Sequence, residues 1–344
     1  MLQETGGKTL KLEKYMITID GGTTNTRIAL WNSDHICVDI YKSEAGVRET
    51  AISGSNKKLL DTVKEGICIL LEKRNLKIEA VSAVYASGMI TSAEGIKEVP
   101  HIKAPSGLKE FAEAVQVVSM PEVCVLPIHF IPGMKNGEAT GMDEIEKMDM
   151  MRGEETEALA LLKLMEVKEP VLLVLPGSHN KFVTVDKKGK LTGCLTTLSG
   201  ELLSAVTRDT IIADSVGHSF APALYDRKML LKGFQTARET SLTRAIFLTR
   251  ILKQFEKKKE EECAAYLLGA MIASDIAAVK GSRALKLDPQ MRVIVMGKEP
   301  LRSALIDLFK EDKTFSNITG FENQSGFLLS GYGALQIAAY RGDF

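Results

Sequence analysis

A pattern of two short strands joined by a polar, glycine-containing turn occurs twice in this chain. The first copy covers residues 16–31 and turns at 21–25, and the second covers 171–186 and turns at 176–180. In both copies an apolar run enters the turn and another leaves it, which is typical of a β-hairpin. When Gly21 is matched to Gly177 and the basic residue of each return strand, Arg27 and Lys181, is matched as well, the connection is two residues shorter in the second copy. An internal repeat indicates a duplicated structural unit and restricts the fold more than either copy does alone.

The segments that follow each hairpin extend the repeat. The sequence predicts a third strand at 36–41, a helix with one apolar face at 59–71, and short buried strands, typical of parallel sheets, at 80–86 and 123–127. This order, β-β-β-α-β-α-β, starts again at Val171. The predicted fold class is therefore α/β, with two domains of the same plan.

The length supports two domains, because 344 residues correspond to about two units of ~150 residues that can each bury a core. We place the boundary at the helix break formed by residues 168–170. The N-terminal domain is then 16–167 and the C-terminal domain is 168–344. Residues 1–15 lack an apolar run, so we expect a disordered leader there rather than a secretory signal.

The charge balance argues against one class of partner. The 44 basic and 44 acidic residues cancel, so the chain has no overall field to attract a nucleic acid, although a small anion needs only local charge. Five scattered Cys without a C-x-x-C pair are typical of free thiols in a reducing cytoplasm. The apolar stretch at 264–279 is interrupted by Asp275 and does not predict a membrane span. We expect a cytoplasmic protein without nucleic-acid or membrane partners.

Both turns, which we call the first and second tips, have the composition of a phosphate-binding loop. Backbone N–H groups of a glycine-containing turn converge on a small volume and, with hydroxyls and cations beside them, cradle a phosphate. If a pseudo-twofold axis relates the halves, the tips would hold one polyphosphate across a cleft. The alternatives are an ordinary hairpin turn at Asp20–Gly21, a local hydrogen bond for His179 and a surface position for Lys181. The predicted phosphate ligands are Gly21, Gly22, Thr23, Thr24, Asn25 and Arg27 in the first tip, and Gly177, Ser178, His179 and Lys181 in the second.

Acidic residues supply the other groups that phosphoryl transfer requires. Asp20 ends a predicted buried strand, where a carboxylate could orient Mg²⁺ through water. Glu154 and Glu155 begin a predicted helix near the domain boundary, and a glutamate there is the candidate base for a substrate hydroxyl, with Asp149 as a further alternative. The helix dipole also favours acids in a first turn without any catalytic role, so that interpretation stays open.

Several strings, taken in order, resemble one family. The first tip, DGGTTNTR (20–27), is similar to the phosphate motif of the sugar kinase, actin and chaperone ATPase superfamily. Within that superfamily the chain most resembles the 2-dehydro-3-deoxygalactonokinases. The strings that carry this resemblance are SEAGV (43–47), IPG (131–133), MRGEET (151–156), LPGSHNKF (175–182), SGEL (199–202) and LLGA (267–270).

The resemblance implies two ribonuclease H-like domains of the actin-like ATPase fold. It implies a kinase that uses ATP and Mg²⁺ to phosphorylate the 6-hydroxyl of 2-dehydro-3-deoxy-D-galactonate in galactonate degradation. It also implies that Glu154 is the base and that Gly297 lies beside adenosine, and we expect Arg152 or another cation to meet the substrate carboxylate. The residues implied on the substrate side are Ser43, Glu44, Gly46, Ser87, Gly88 and Met89.

Two other functions remain open from the sequence. One is a kinase of the same fold acting on another sugar or sugar acid, because a few side chains decide substrate choice. The other is a non-catalytic actin-like or regulatory ATP-binding protein, although the chain has no basic helix-turn-helix segment typical of a repressor. The expected partners are ATP and a small sugar acid, and a homodimer is compatible with the sequence.

Overall fold

The computed structural model describes residues 14–138, 141–218, 226–323 and 327–344. Of the predicted leader, 1–15, all but Lys14 and Tyr15 lies outside these residues. Tyr15 already belongs to the first strand, so the first domain begins one residue earlier than expected.

Both parts of the chain mix strands with helices. The strands are β1 (Tyr15–Gly21), β2 (Thr26–Asn32), β3 (Cys37–Ser43), β4 (Val81–Gly88), β5 (Ile102–Lys103), β6 (Gln116–Met120), β7 (Cys124–Phe130), β8 (Met134–Lys135), β9 (Met150–Met151), β10 (Val171–Leu175), β11 (Asn180–Val185), β12 (Leu191–Thr197), β13 (Arg292–Val295) and β14 (Asn317–Gly320). The α-helices are α1 (Val47–Ser53), α2 (Lys57–Lys73), α3 (Leu108–Ala114), α4 (Glu154–Leu164), α5 (Ser199–Asp209), α6 (Arg227–Glu239), α7 (Leu242–Gln254), α8 (Glu260–Gly281), α9 (Leu301–Asp312) and α10 (Leu329–Arg341).

The chain divides into two compact units. The first contains the residues up to Pro100 together with Leu108–Gly133 and Leu328–Phe344, and the second contains His101–Gly107 and Met134–Phe327. The expected boundary at 167/168 does not coincide with this division, because β8, β9 and α4 belong to the second unit and α10 returns to the first. Nothing local in α10 indicates which sheet it covers, so the sequence could not reveal this return.

The large sheets of the two units have the same strand order. In the first unit the order is β3-β2-β1-β4-β7, extended by β6 at the edge, and in the second it is β12-β11-β10-β13-β14. The first three strands of each sheet are antiparallel, and the next two run parallel to the first strand. This is the βββαβαβ plan of a ribonuclease H-like domain, present twice. The predicted duplicated α/β fold is confirmed.

An apolar helix face builds much of the core of the first unit. Leu59, Val63, Ile67 and Leu70 of α2 are each at most 3% exposed and join the core that includes strand residues such as Ile28. Full burial of one such side chain contributes about 1.5–3 kcal/mol. The N-cap residue of α2 makes no side-chain capping bond, so packing of this face, rather than capping, holds the helix.

Helix α8 is the apolar centre of the second unit. It is long and apolar enough to cross a membrane, but 78% of its most apolar 18-residue stretch is buried inside the protein. Leu267, Leu268 and Ile272 pack in the same core as Leu172 and Phe182 of the sheet. Helix α8 is therefore a core helix, which agrees with the prediction that this stretch is not a membrane span.

Some helices and strands have no clear pattern in the sequence. The helices α1 and α6 and the strands β6 and β14 were not predicted. The segment 131–151 contains β8 and β9, which form a small sheet with β5. Strands of two residues have too little pattern to be recognised, because alternation needs about four residues to show.

Candidate active site

The first tip joins β1 to β2 and is closed by a main-chain hydrogen bond. The N–H of Gly22 donates to the carbonyl of Asn25 over 2.8 Å. The start of α1 lies against this turn, because the N–H groups of Val47 and Arg48 donate to the carbonyls of Gly22 (3.2 Å) and Thr23 (2.9 Å). The carbonyls of Gly22, Thr23 and Asn25 are thereby occupied, whereas the threonine and asparagine side chains of the turn are exposed.

Asp20 lies at the base of the first tip. Its Oδ2 accepts hydrogen bonds from Arg27 Nη1 (3.3 Å) and from Ser330 Oγ of α10 (2.9 Å). The ion pair follows from strand register, since Asp20 and Arg27 are opposite each other in the β1–β2 ladder. On the other side, β4 places Gly88 beside Gly21. A Cβ on Gly88, whose φ is +86°, would lie 2.7 Å from the Gly21 carbonyl, so glycine keeps β4 close to the carboxylate.

The second tip, between β10 and β11, is closed by a side chain instead. The N–H of Gly177 donates to Asn180 Oδ1 at 3.0 Å. The closing bond joins a glycine to the asparagine three residues later, as in the first tip, so the expected two-residue difference in length is wrong. The start of α5 lies against this turn, with the N–H of Glu201 donating to the carbonyl of Ser178 over 2.8 Å.

A glycine at the start of the docked helix makes the close approach possible in both units. A Cβ on Gly46 would lie 2.5 Å from the Thr23 carbonyl oxygen, and a Cβ on Gly200 would lie 2.0 Å from that of Gly177. Real Cβ atoms do not come so close, so a larger residue at either position would move the helix away from its tip.

The remaining residues predicted around the second tip have local partners. Gly297 follows β13 with a φ of +115°, and a Cβ there would lie 2.7 Å from Pro176 Cγ. Gly297 therefore packs on the second tip as Gly88 packs on the first. His179 Nε2 lies 2.8 Å from Glu201 Oε2 on the exposed surface, which is the local hydrogen bond considered as its alternative role.

Lys181 is buried and bound within its own unit. The side chain is 7% exposed, and Nζ donates to the Met150 carbonyl (2.8 Å) and to Thr196 Oγ1 (2.7 Å). The carboxylate of Asp149 accepts from the N–H and the hydroxyl of Thr196, both at 2.6 Å. These bonds join β9 to β12 shortly before Glu154. Lys181 was predicted to bind phosphate, but two of its three ammonium protons already have acceptors within the protein.

Helix α4 begins with two adjacent glutamates in different surroundings. Glu155 is 0% exposed, and its two oxygens accept from the Gly153 N–H at 2.8 and 2.9 Å. Burial, reinforced by the charge of Glu154, raises the pKa of Glu155 to about 8. Glu154 is partly exposed, and its Oε2 accepts from the Arg152 N–H at 3.1 Å. Of the pair, Glu154 is the one whose carboxylate is accessible.

Positive charge concentrates around His101. Arg152 Nη2 lies 3.2 Å from His101 Nδ1. Burial, followed by the charges of Arg152, Lys135 and Lys181, lowers the pKa of His101 to about 4. The imidazole is therefore neutral at pH 7, and its Nδ1 accepts from the guanidinium and orients it. This arrangement suits an incoming carboxylate better than a metal ion.

The substrate-side residues implied by the resemblance fall in the first unit, except Arg152. Glu44 and Gly46 line a cavity of about 400 Å³ with Thr23, Thr24, Asn25 and Arg48. Ser87 and Gly88 end β4 opposite Asp20 and Gly21, and Met89 follows them. Ser43 ends β3, and its Oγ accepts from the Ala45 N–H at 3.2 Å. The predicted residues thus gather into two sets, one in each unit.

Four residues with roles in these sets were missed in the sequence. Arg48 lines the cavity at the first tip, His101 contacts Arg152, and Asn180 closes the second tip. Asp275 was noted only as an interruption of an apolar stretch, although a charged residue inside an otherwise apolar helix is a signal for a buried polar contact. His101 lies in a segment that carried no recognisable pattern.

Comparison with known proteins decides the family. The model of the 2-keto-3-deoxy-galactonokinase family matches residues 20–316. The chain belongs to this family. The matched range contains both tips, His101, Arg152 and the glutamate pair of α4, so the resemblance noted in the sequence is confirmed. The protein is a sugar-acid kinase, that is, a phosphotransferase.

One solved structure supports the fold, and a second is less similar. A suggested 2-dehydro-3-deoxygalactonokinase from Sinorhizobium meliloti is similar with a TM-score of 0.71 and 21% identity, over 94% of this chain and 98% of that one. An activator of the 2-hydroxyisocaproyl-CoA dehydratase from Clostridium difficile with bound ADPNP has a TM-score of 0.48 and 13% identity, over 96% of this chain and 94% of that one. None of the curated proteins matches the chain. The first of these structures has the fold described above.

Proposed function

We propose that the protein transfers the γ-phosphoryl group of ATP to the 6-hydroxyl of 2-dehydro-3-deoxy-D-galactonate, with Mg²⁺. The observation that carries this proposal is the repetition of one turn-and-helix arrangement, at Gly22–Asn25 and Gly177–Asn180, in a chain of this kinase family. In phosphoryl transfer the protein mainly positions the reactants and neutralises charge. Each tip has hydrogen-bond donors that can do this for phosphate oxygens.

Each tip has donors available for phosphate oxygens. The N–H groups of Thr23, Thr24, Ser178 and His179 make no hydrogen bond to any other residue among those the structure describes. The Thr and Ser hydroxyls add donors at the same turns, and Arg27 adds a cation that is about half exposed. The N–H groups of Gly22 and Gly177 donate the hydrogen bonds that close the turns. We therefore propose that these two glycines shape the tips and that the neighbouring residues contact the phosphates.

The donor set at the first tip fits Mg²⁺ held mainly by phosphates and water. No cluster of three His, Cys, Asp or Glu side chains suited to a metal occurs within the described ranges, which argues against a protein cage. Mg²⁺ bound with a nucleotide needs only one or two carboxylates, and Asp20 has its Oδ1 beside Gly88 with no donor from the described residues. We propose Asp20 for this role. When bound, the ion would neutralise charge on the phosphates.

Glu154 is our proposed base. Its carboxylate is accessible, whereas Glu155 is fully buried and Asp149 is engaged by Thr196. The raised pKa of Glu155 keeps that group largely protonated at neutral pH, so Glu155 is poorly suited to accept a proton. A carboxylate held there can orient the substrate hydroxyl and accept its proton. Lys181, through Met150, holds the segment before this helix in place, and we assign it to that task.

Arg152 is our proposed ligand for the substrate carboxylate. A guanidinium pairs with a carboxylate through two parallel hydrogen bonds, and the neutral His101 ring fixes its direction from one side. This placement puts recognition of the acid two residues before the base, so the same chain segment holds the substrate and activates it. The sugar acid therefore fits this part of the second unit better than a neutral sugar does.

A cytoplasmic location is part of the proposal. All five cysteines are free thiols, as is usual in a reducing compartment. The balanced charge gives no general attraction for polyanions, so the charges that matter are local ones.

Release of ADP from ATP–Mg²⁺ in a panel of acceptors tests the substrate. We expect turnover with 2-dehydro-3-deoxy-D-galactonate, weaker turnover with its gluconate epimer, and none with glucose or N-acetylglucosamine, which lack a carboxylate for Arg152. Preference for a neutral sugar would show that the kinase acts on another class of substrate. The Arg152→Lys variant should raise KM for the acid with little change in KM for ATP, because lysine cannot form the two-point contact.

A further inference from the structure

A buried carboxylate that the proposed reaction does not use lies behind the second tip. Asp275 belongs to α8, whose buried neighbours include Met271, Ile272 and Ile276, and it is 0% exposed. Placing a carboxylate in such surroundings costs free energy unless its oxygens are hydrogen-bonded. An apolar residue of similar size would often serve stability equally well at a buried ionic position. Packing alone therefore does not account for an aspartate there.

The two oxygens of Asp275 bind two different elements beside the second tip. Oδ1 accepts from Ser199 Oγ at the start of α5, and Oδ2 accepts from Asn180 Nδ2 at 2.8 Å. The other end of the same amide, Asn180 Oδ1, accepts the closing bond from the Gly177 N–H at 3.0 Å. A continuous line of hydrogen bonds thus runs from the core helix to the turn.

This line fixes the direction of the Asn180 amide. An asparagine side chain can rotate by half a turn and exchange its oxygen for its NH₂ group. Only the oxygen can accept from Gly177, and an ionised carboxylate can accept only from the NH₂ group, so Asp275 selects the orientation that closes the tip. Burial raises the pKa of Asp275, and the hydrogen bonds from Ser199 and Asn180 oppose this rise. Asn180 itself is 5% exposed, so water is a poor substitute for either partner.

We propose that Asp275 is a positioning residue for nucleotide binding, acting through Asn180 on the shape of the second tip. This inference rests on the proposed function, in which the N–H groups of Ser178 and His179 meet phosphate oxygens. The carboxylate touches no phosphate in this role. It keeps the turn closed through Asn180 before ATP arrives, so that binding does not have to order the turn.

The test compares Asp275→Leu, which removes both acceptors, with Asp275→Asn, which retains one. Calorimetric titration with the non-hydrolysable analogue AMP-PNP and Mg²⁺ should give about tenfold weaker binding for Asp275→Leu and an intermediate loss for Asp275→Asn. KM for ATP should rise in parallel, with kcat at saturating ATP within about twofold of wild type. Met271→Leu, one turn earlier on α8, is the matched packing control and should bind as wild type does.

A second variant covers the case in which Asp275→Leu does not fold. Asn180→Ala removes the closing bond directly, so it should weaken AMP-PNP binding to a similar extent. Adding Asp275→Asn to it should then weaken binding no further, because both act through one bond. In the absence of nucleotide, amide hydrogen exchange at Gly177 should accelerate about tenfold in Asp275→Asn, which does not depend on ATP use.

Two results would overturn the inference. The first is unchanged AMP-PNP affinity in a folded Asp275→Leu protein, whether or not its melting temperature falls, because a role in packing only would lower the melting temperature without changing the affinity. In that case binding of AMP-PNP by the wild type would leave the proposed function standing. The second is a folded wild-type protein that binds no AMP-PNP, which would remove the proposed function and this inference together.

Discussion

The two tips are built alike but are held differently. In both, a glycine N–H bonds to an asparagine oxygen three residues on, a helix start docks on the turn carbonyls, and a glycine with positive φ packs from the fourth strand. The first tip closes on the main-chain carbonyl of Asn25, whereas the second closes on the side chain of Asn180. A main-chain carbonyl is fixed by the strand it begins, but a side-chain amide needs an outside support, which Asp275 provides.

The surroundings of the tips differ in a second respect. Asp20 stands at the base of the first tip, whereas the second tip is entered through Leu175 and Pro176. In contrast, the second unit contains the glutamate pair of α4 and the Arg152–His101 contact. In the proposed function the two tips are similar phosphate loops, and the groups proposed for the metal and for the acceptor hydroxyl belong to different units. Substitutions in each unit test this division.

Replacing the proposed base should have the largest effect. Glu154→Gln should lower kcat by about 10²-fold or more, with KM for ATP nearly unchanged, because the amide cannot accept the hydroxyl proton. Steady-state kinetics with the sugar acid measure both constants. Glu155→Gln is the matched control and should keep most activity, since an amide resembles the protonated acid that the raised pKa predicts. The opposite ranking of the two variants would transfer the base to Glu155.

The docked helices should respond equally to an added methyl group. Gly46→Ala and Gly200→Ala should each lower the free energy of unfolding by about 1–3 kcal/mol, because the new Cβ overlaps a turn carbonyl. Denaturant unfolding measures the loss. Gly281→Ala, where a Cβ would meet nothing within 4 Å, is the control and should change little. A neutral Gly46→Ala beside a damaging Gly200→Ala would show that the two tips are not equivalent.

Asp20→Asn should affect metal use in a way that no change at the second tip does. We expect about tenfold lower activity at limiting Mg²⁺, partly recovered at high Mg²⁺. The reason is that an uncharged carboxamide holds Mg²⁺, or the water bound to it, more weakly than a carboxylate does. Titration of activity against Mg²⁺ gives the shift in half-saturation. An unchanged Mg²⁺ dependence would remove the metal role from the first tip and leave Asp20 with its bonds to Arg27 and Ser330.

The smallest effect concerns the buried acid of the second unit. The pKa of Glu155 is raised in the fold to about 8, so the stability that its protonated form contributes is complete below about pH 4.5 and is lost as the pH rises toward 8. Between pH 6 and 7 the free energy of unfolding should fall by at most about 1.4 kcal/mol relative to Glu155→Gln. Denaturant unfolding of both proteins at several pH values measures this. Parallel pH profiles would mean that Glu155 is ionised in the folded protein.

The sequence was most informative where the pattern is local. The hairpin strands, the apolar face of α2 and the glycines of both tips were visible as short-range patterns, because strand alternation, helical spacing and turn composition are properties of neighbouring residues. Other contacts join residues that are far apart in the chain. They include the bonds of Lys181, the docking of α1 and α5, the packing of α10 in the first unit and the link from Asp275 to Asn180. Such contacts depend on the packed fold and leave no spacing to read.

The buried state of individual side chains was equally hidden. Glu154 and Glu155 are identical neighbours in the sequence, yet one is accessible and the other is fully buried. The orientation of the first turn of α4 decides this, since adjacent helical residues point about 100° apart. The sequence left open which of the two carboxylates is the base. The orientation of α4 separates them, and the bonds that join β9 to β12 hold the segment before this helix in place.

In the proposed function this chain phosphorylates a sugar acid at its terminal hydroxyl. The most direct measurement is phosphorus NMR of the product formed from ATP–Mg²⁺ and 2-dehydro-3-deoxy-D-galactonate by the purified protein. We expect one new phosphomonoester signal, coupled to the protons on C6, that appears in step with ADP. No phosphomonoester from folded protein, or a phosphate on another carbon, would contradict it.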